Sequence, residues 1–470
     1  MKPIRFFLLI TVIITISVHG LSGQGHRISV YVPDLPEMNI ILSHRLGMKF
    51  YTDDTLKTDN FGRGEFEGGT LMAQGMYQLV FPDKKFAEFF IDKNQVFSMY
   101  TRGMAPADSL IFTGSPENSR FQEWQRKYTA NRNRSGQIQN RLKKGNLTPD
   151  SSQLLNKELK QIQSSNNQIW DTAITDLAGT LPGAFIHALR PVRIPESLGK
   201  PDVKENQFKQ YQYLRTHFFD GLDFADERLL RTPAVETKLD QYFKQIIPQI
   251  ADTLMVEADQ IIERSKRAKN MYQFVVQYLF NLYTDPQTMG TDAVYVHIAE
   301  KYYLTGEAPW VDSANLRGIT YRVKELSPLL IGKEAPVLEG LLTTDDQPLD
   351  IKDIKSEYLI LYFWSPDCGF CKEATPKLHA VYQDLKKMGV EIVALDTRLD
   401  KVSWLKFIAD NQLNWINGHC PGNVRAMIEK YQAFSTPTLY ILDSRRRIIA
   451  KSISVDQVKP FMTQYASGRK

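Results

Sequence analysis

The chain has 470 residues, 43% hydrophobic and 24% charged, with a formal net charge of +5 and only three cysteines. So few cysteines exclude a fold stapled by disulfides, leaving stability to apolar cores, and the length is enough for roughly three domains. Between Asn131 and Ser165, seven Lys or Arg face Asp150 and Glu158 alone, a net +5 that equals the charge of the whole chain. The rest is balanced, and composition gives no basis for a nucleic-acid partner.

Residues 1–23 read as a secretory signal peptide. Lys2 and Arg5 precede the apolar run Phe6 to Val18, whose thirteen residues are too few to span a bilayer, and a small, polar stretch follows it. No later stretch is comparably apolar, so the chain is expected to be exported, most simply to the periplasm, and not to be an integral membrane protein.

From 27 to 114 short alternating runs, such as Tyr77-Gln78-Leu79-Val80-Phe81, are divided by Gly68-Gly69, Pro82-Asp83 and Asp92-Lys93-Asn94. This pattern predicts a small antiparallel β-sandwich or barrel. It holds no histidine cluster, paired carboxylates or phosphate-binding loop; its glycines and aromatics read as turns and core, with a peptide or glycan site as the alternative.

Residues 115–170 form a polar, basic connector in which Phe121, Trp124 and Tyr128 make one apolar stripe and Leu155, Leu159, Ile162 and Ile169 a second. A solvated helical hairpin accounts for it, though such an arm could also meet an anionic surface. With no aromatics interleaved among the basic residues between Asn131 and Ser165, it offers nucleic acid no stacking platform.

Residues 171–330 read as an all-α domain, with helices near 171–189, 205–219, 234–264, 269–283, 291–304 and 312–325 and with Pro182, Pro191, Pro195, Pro233 and Pro309 mostly as breakers. His187, His217 and His297 are scattered singly, so none suggests a metal site.

The last domain, 332–470, carries the chemistry. Tyr358 to Trp364 is an unbroken apolar run typical of a strand buried on both faces, and Leu378, Val381, Tyr382 and Leu385 give the following segment one helical stripe. Between them lies Ser365-Pro366-Asp367-Cys368-Gly369-Phe370-Cys371. Cys368 falls at the helix N-terminus, where unpaired amides favour a thiolate, and Cys371 on the same face can resolve a mixed disulfide. Structural zinc is disfavoured because only distant Cys420, beside His419, joins this one pair. Cys420 is either a third redox thiol activated by His419 or a buried, unpaired one. A peroxidatic Pro-x-x-x-Thr-x-x-Cys loop is absent.

These residues resemble the TlpA/ResA-like thioredoxin-fold thiol-disulfide oxidoreductases. The resemblance covers about 30% of the chain, through Gly332-Lys333-Glu334-Ala335-Pro336, the run Trp364 to Glu373, Pro376, and Thr436-Pro437-Thr438. It implies a redox-active disulfide between Cys368 and Cys371, a cis bond before Pro437, and a substrate groove shaped by Trp364, Gly369, Phe370, Thr436 and Pro437. The order helix, strand Glu391 to Asp396, helices Lys401 to Asn411 and Val424 to Tyr431, strands Thr438 to Leu442 and Arg447 to Ser452, and helix Val455 to Tyr465 suits that fold. The β-rich and helical regions in turn resemble domains of unknown function that accompany it in envelope proteins.

Two proton-relaying carboxylates are missing, however: Tyr362 stands where thioredoxin itself has a buried aspartate, and Ala374 where many TlpA-like proteins have a glutamate, with Glu373 one residue earlier.

The expected molecule is therefore a multi-domain α+β protein with an N-terminal antiparallel β-sandwich, a central all-α domain and a C-terminal thioredoxin-like α/β fold. It would exchange thiols and disulfides with cysteine-containing envelope proteins as a reductant, using no cofactor or metal and taking electrons from an upstream membrane donor. The alternatives are an oxidase or isomerase of the same fold, or an exported binding or scaffold protein whose last domain senses redox state.

Overall fold

The computed structural model describes residues 25–285 and 288–467. The signal segment expected at 1–23 lies outside the described residues. The chain divides into two compact units, one of residues up to 247 with 261–275, the other of 248–260 with 276 onward.

The first unit opens with eight strands: β1 (His26–Tyr31), β2 (Asn39–Leu46), β3 (Lys49–Lys57), β4 (Arg63–Gly68), β5 (Gly75–Val80), β6 (Phe86–Ile91), β7 (Val96–Tyr100) and, after the single turn α1 (Pro106–Ser109), β8 (Ile111–Thr113). They form two four-stranded sheets, β4-β1-β7-β8 and β3-β2-β5-β6. Alternate side chains from both sheets, among them Ile28, Phe66 and Phe97 from one and Leu42, Leu79 and Phe89 from the other, build one shared core. The sandwich is antiparallel except where β1 and β7 run parallel. β7 returns from the opposite sheet and inserts beside the opening strand.

Two long helices follow, α2 (Pro116–Lys143) and α3 (Pro149–Asp176). The hydroxyl of Thr148 accepts the amide of Ser151 and Pro149 takes the first position of α3, a well-made start. The two helices fold back on each other over Ile138, Leu155 and Ile162, with Trp124, Tyr128 and Trp170 in ring contact at 5.0–5.6 Å. The rest of the helical region comprises α4 (Leu181–Leu189), α5 (Lys204–His217), α6 (Ala234–Gln241), α7 (Ala251–Ser265), α8 (Lys269–Leu282), α9 (Asp292–Ile298) and α10 (Ser313–Leu326). Two helices expected as single pieces are broken. The first breaks at Gly179, with φ of +77°, between α3 and α4. The second ends in a π-turn over Tyr242–Ile246 before Pro248, which has no amide to continue a helix.

In the second unit a six-stranded sheet is built from β9 (Leu342–Thr343), β10 (Tyr358–Trp364), β11 (Val390–Asp396), β12 (Ile416–His419), β13 (Thr438–Leu442) and β14 (Ile448–Lys451), in the order β14-β13-β10-β11-β12-β9. Helices α11 (Gly369–Lys387), α12 (Lys401–Asp410), α13 (Val424–Lys430) and α14 (Val455–Ser467) complete it. β10 lies at the centre, parallel to β11 and antiparallel to β13, with all seven residues buried. Tyr358, Ile360, Tyr362 and Trp364 face one core with Leu378, Tyr382 and Leu385 of α11; Leu359, Leu361 and Phe363 face a second. At the edge of this sheet and within the same unit, Lys451 of β14 is buried against Asp292 of α9 and donates to the Leu329 carbonyl at 2.6 Å. The short strands β9 and β12 were not anticipated: β9 is only two residues long, and β12 carries Asn417-Gly418, a pair that favours turns.

Candidate active site

The run of β10 ends at Trp364, and Cys368 becomes the N-cap of α11: its sulfur accepts the Cys371 amide at 3.2 Å. As a thiol it donates to the Thr436 carbonyl at 3.1 Å. The Thr436–Pro437 bond is cis, in agreement with the resemblance. Cys368 is half-buried and Cys371 fully buried.

That difference sets their chemistry. Burial works against ionising Cys368, but hydrogen bonds from the Cys371 thiol, from the Thr436 side chain and from the amides of Cys371 and Phe370 outweigh it, and its pKa lies below that of an ordinary thiol. For Cys371 burial dominates and, with the thiol hydrogen bond to Cys368, holds it protonated. One sulfur is a ready nucleophile at the surface and the other a thiol kept in reserve beneath it.

The expected groove residues separate. Phe370 is 79% exposed beside Cys368, and Phe434, close before Thr436, is 62% exposed. Gly369 has open space where a side chain would project, and Thr436 and Pro437 are half-buried. Trp364, by contrast, is fully buried against Phe407, with ring centroids 5.0 Å apart, because β10 is covered on both faces. It supports the site from within instead of lining a groove.

Where thioredoxin itself has a buried aspartate, the Tyr362 hydroxyl pairs with Thr375 Oγ1 at 2.9 Å, both side chains buried. Glu373 is exposed and Ala374 half-buried. Cys420 sits in the core on the other face of the sheet from Cys371, its thiol 3.6 Å from the Glu339 carbonyl. His419 turns instead to the Trp404 ring at 5.0 Å and to Asp346 at 3.3 Å. The structure therefore sides with a buried, unpaired Cys420. One buried group near the site was not anticipated: Asp396, which closes β11 opposite Trp364. Its only signal in the sequence is a lone acid ending the apolar run Ile392 to Leu395.

Comparison with known proteins gives two family matches, a domain of unknown function (DUF5106) over residues 151–327 and a thioredoxin-like family over residues 356–448. The thiol-disulfide oxidoreductase ResA of Bacillus thuringiensis subsp. konkukian is 28% identical over 137 residues, 29% of this chain and 76% of that protein. ResA of Bacillus subtilis is 26% identical over 120 residues, 25% of this chain and 64% of that protein. Among solved structures, a domain of a possible thiol-disulfide isomerase from Cytophaga hutchinsonii is 33% identical, covering 30% of this chain and 97% of that one, with a TM-score of 0.29. A thioredoxin-like protein from Bacteroides caccae is 17% identical, covering 59% of this chain and 98% of that one, with a TM-score of 0.47.

Proposed function

The C-terminal domain is a thioredoxin fold of the TlpA/ResA-like type with thiol-disulfide oxidoreductase chemistry, and from it we propose that the chain is an exported reductant of cysteine-containing envelope proteins. The observation that carries this reading is the division of labour between the two sulfurs, one ionisable and accessible, the other buried and protonated. Cys368 Sγ attacks a substrate disulfide, and Cys371 then resolves the mixed disulfide, leaving the substrate reduced and a Cys368–Cys371 disulfide behind.

Exposed Phe370, two residues after Cys368, and Phe434, two before Thr436, suit an apolar stretch of a protein substrate. Dithiol proteins differ by about 150 mV, roughly 7 kcal/mol for two electrons, so a measured potential separates the reductant from an oxidase or isomerase of the same fold. An upstream membrane donor would return the electrons. Export is supported by the apolar run after Lys2 and Arg5.

The test is substrate trapping. Cys371→Ser in the full chain should accumulate mixed disulfides through Cys368 with exported proteins, and Cys368→Ser should accumulate none. A folded Cys371→Ser protein that forms no adduct refutes the exchange mechanism.

A further inference from the structure

The basic residues between Asn131 and Ser165 lie on the far halves of α2 and α3 and in the turn that joins them. Arg134 is held by Glu158 at 2.6 Å, but Arg132, Arg141, Lys143, Lys144, Lys157 and Lys160 are exposed and form no ion pair among the described residues. Asp150 is the only other acid of this stretch. The positive charge is therefore at the surface and largely uncompensated.

This end of the hairpin also has a core of its own. Ile138, Leu155 and Ile162, with Leu142, Leu147 and Leu159 against them, make a cluster whose members all belong to α2, α3 and their turn. At 1.5 Å per residue, the helix from Asn131 to Lys143 runs roughly 20 Å beyond the ring contacts of Trp124, Tyr128 and Trp170. Charges are screened over about 8 Å at physiological salt, so the acids near those rings do not neutralise the turn.

Two features favour a lipid surface over an acidic protein as the partner. The basic side chains surround the end of the arm instead of converging on one recess, which suits a diffuse negative surface better than a single carboxylate. Among them stands Leu154, 67% exposed and three residues before Lys157, so that an apolar and a basic side chain share one face of α3. That pairing lets the leucine enter a headgroup layer while the ammonium stays at the phosphates.

We propose that the end of the α2–α3 hairpin docks on an anionic lipid bilayer, with Arg141, Lys143, Lys144 and Lys157 on the lipid phosphates and Leu154 in the headgroup layer. The contact is peripheral: no helix among the described residues is long and apolar enough to cross a membrane. This goes beyond the redox reading and does not rest on it.

The test is co-sedimentation with vesicles at about 0.1 M salt, using the full chain freed of residues 1–23, whose apolar run could itself bind lipid. Vesicles of phosphatidylcholine with about 30% phosphatidylglycerol should bind the protein, and vesicles of phosphatidylcholine alone should not. At about fivefold per basic residue, Arg141→Gln with Lys143→Gln and Lys144→Gln should weaken binding on the order of 100-fold while leaving thiol-disulfide exchange unchanged. Lys49→Gln with Lys57→Gln and Lys93→Gln removes the same charge from exposed positions of the β-sandwich and should stay within about twofold of wild type. Equal binding to both kinds of vesicle, or equal losses in the two triple variants, overturns the proposal. So does a wild type that ignores the anionic vesicles but is retained on immobilised poly-glutamate, which would mark an acidic protein as the partner. Should the arm variant not fold, Lys143→Gln with Lys144→Gln and the wild-type salt dependence decide, since binding that survives either the double change or high salt is equally fatal.

Discussion

Asp292→Ala tests how far the redox domain depends on the helices before it. Lys451 and Asp292 are 8% and 12% exposed, and the ammonium has the Leu329 carbonyl as a further acceptor. Removing the carboxylate strands a buried cation, a loss of about 3–5 kcal/mol. At about 2–4 °C per kcal/mol for a unit of this size, unfolding should begin roughly 6–20 °C lower, as read by circular dichroism and by thiol accessibility. Replacing both partners, as Asp292→Leu with Lys451→Met, should recover most of the loss, because an apolar pair carries no desolvation penalty. A single-mutant cost below about 1 kcal/mol, or a double mutant no better than the single, would refute the reasoning. The expected result also means that a fragment beginning at residue 332 leaves Lys451 without Asp292 and Leu329, so it should be less stable than the same residues in the full chain.

Two further outcomes follow from the charges. Alkylation of Cys368 should show a midpoint below the ordinary thiol value of about 8.5, and Cys371→Ala should move it upward by removing a hydrogen-bonding thiol; a wild-type midpoint above 8.5 contradicts the site's electrostatics. Asp259 is partly buried, but hydrogen bonds from His297, Lys301 and Tyr302 outweigh burial and bring its pKa to about 2. A carboxylate with a depressed folded pKa stabilises above its unfolded value and loses that contribution as pH falls from about 4 to 2, here on the order of 2 kcal/mol. Asp259→Asn should flatten denaturation curves in that window, and an unaltered pH dependence would count against it.

The parts of the fold that were legible in the sequence are those where one physical demand dominates. Seven consecutive apolar residues leave β10 no option but burial on both faces, and a cysteine at the start of an amphipathic segment is positioned as a helix cap by its neighbours alone. Where two demands compete, reading fails. The resemblance implies a groove role for Trp364, but it belongs to the buried strand. Asn417-Gly418 has the letters of a turn, while pairing with β11 makes it a strand. Pro248 was overlooked within a long helical pattern. Asp396 resembled an ordinary acid closing a strand, and the burial that leaves its Oδ1 without a hydrogen bond among the described residues exists only in three dimensions.

The sulfur of Cys368 is also the side chain that secures the opening turn of α11. An anionic sulfur binds the Cys371 amide more firmly than a sulfur bonded to another sulfur can, so each catalytic cycle loosens and retightens that turn. Hydrogen exchange at this one amide should therefore register the oxidation state of the Cys368–Cys371 pair.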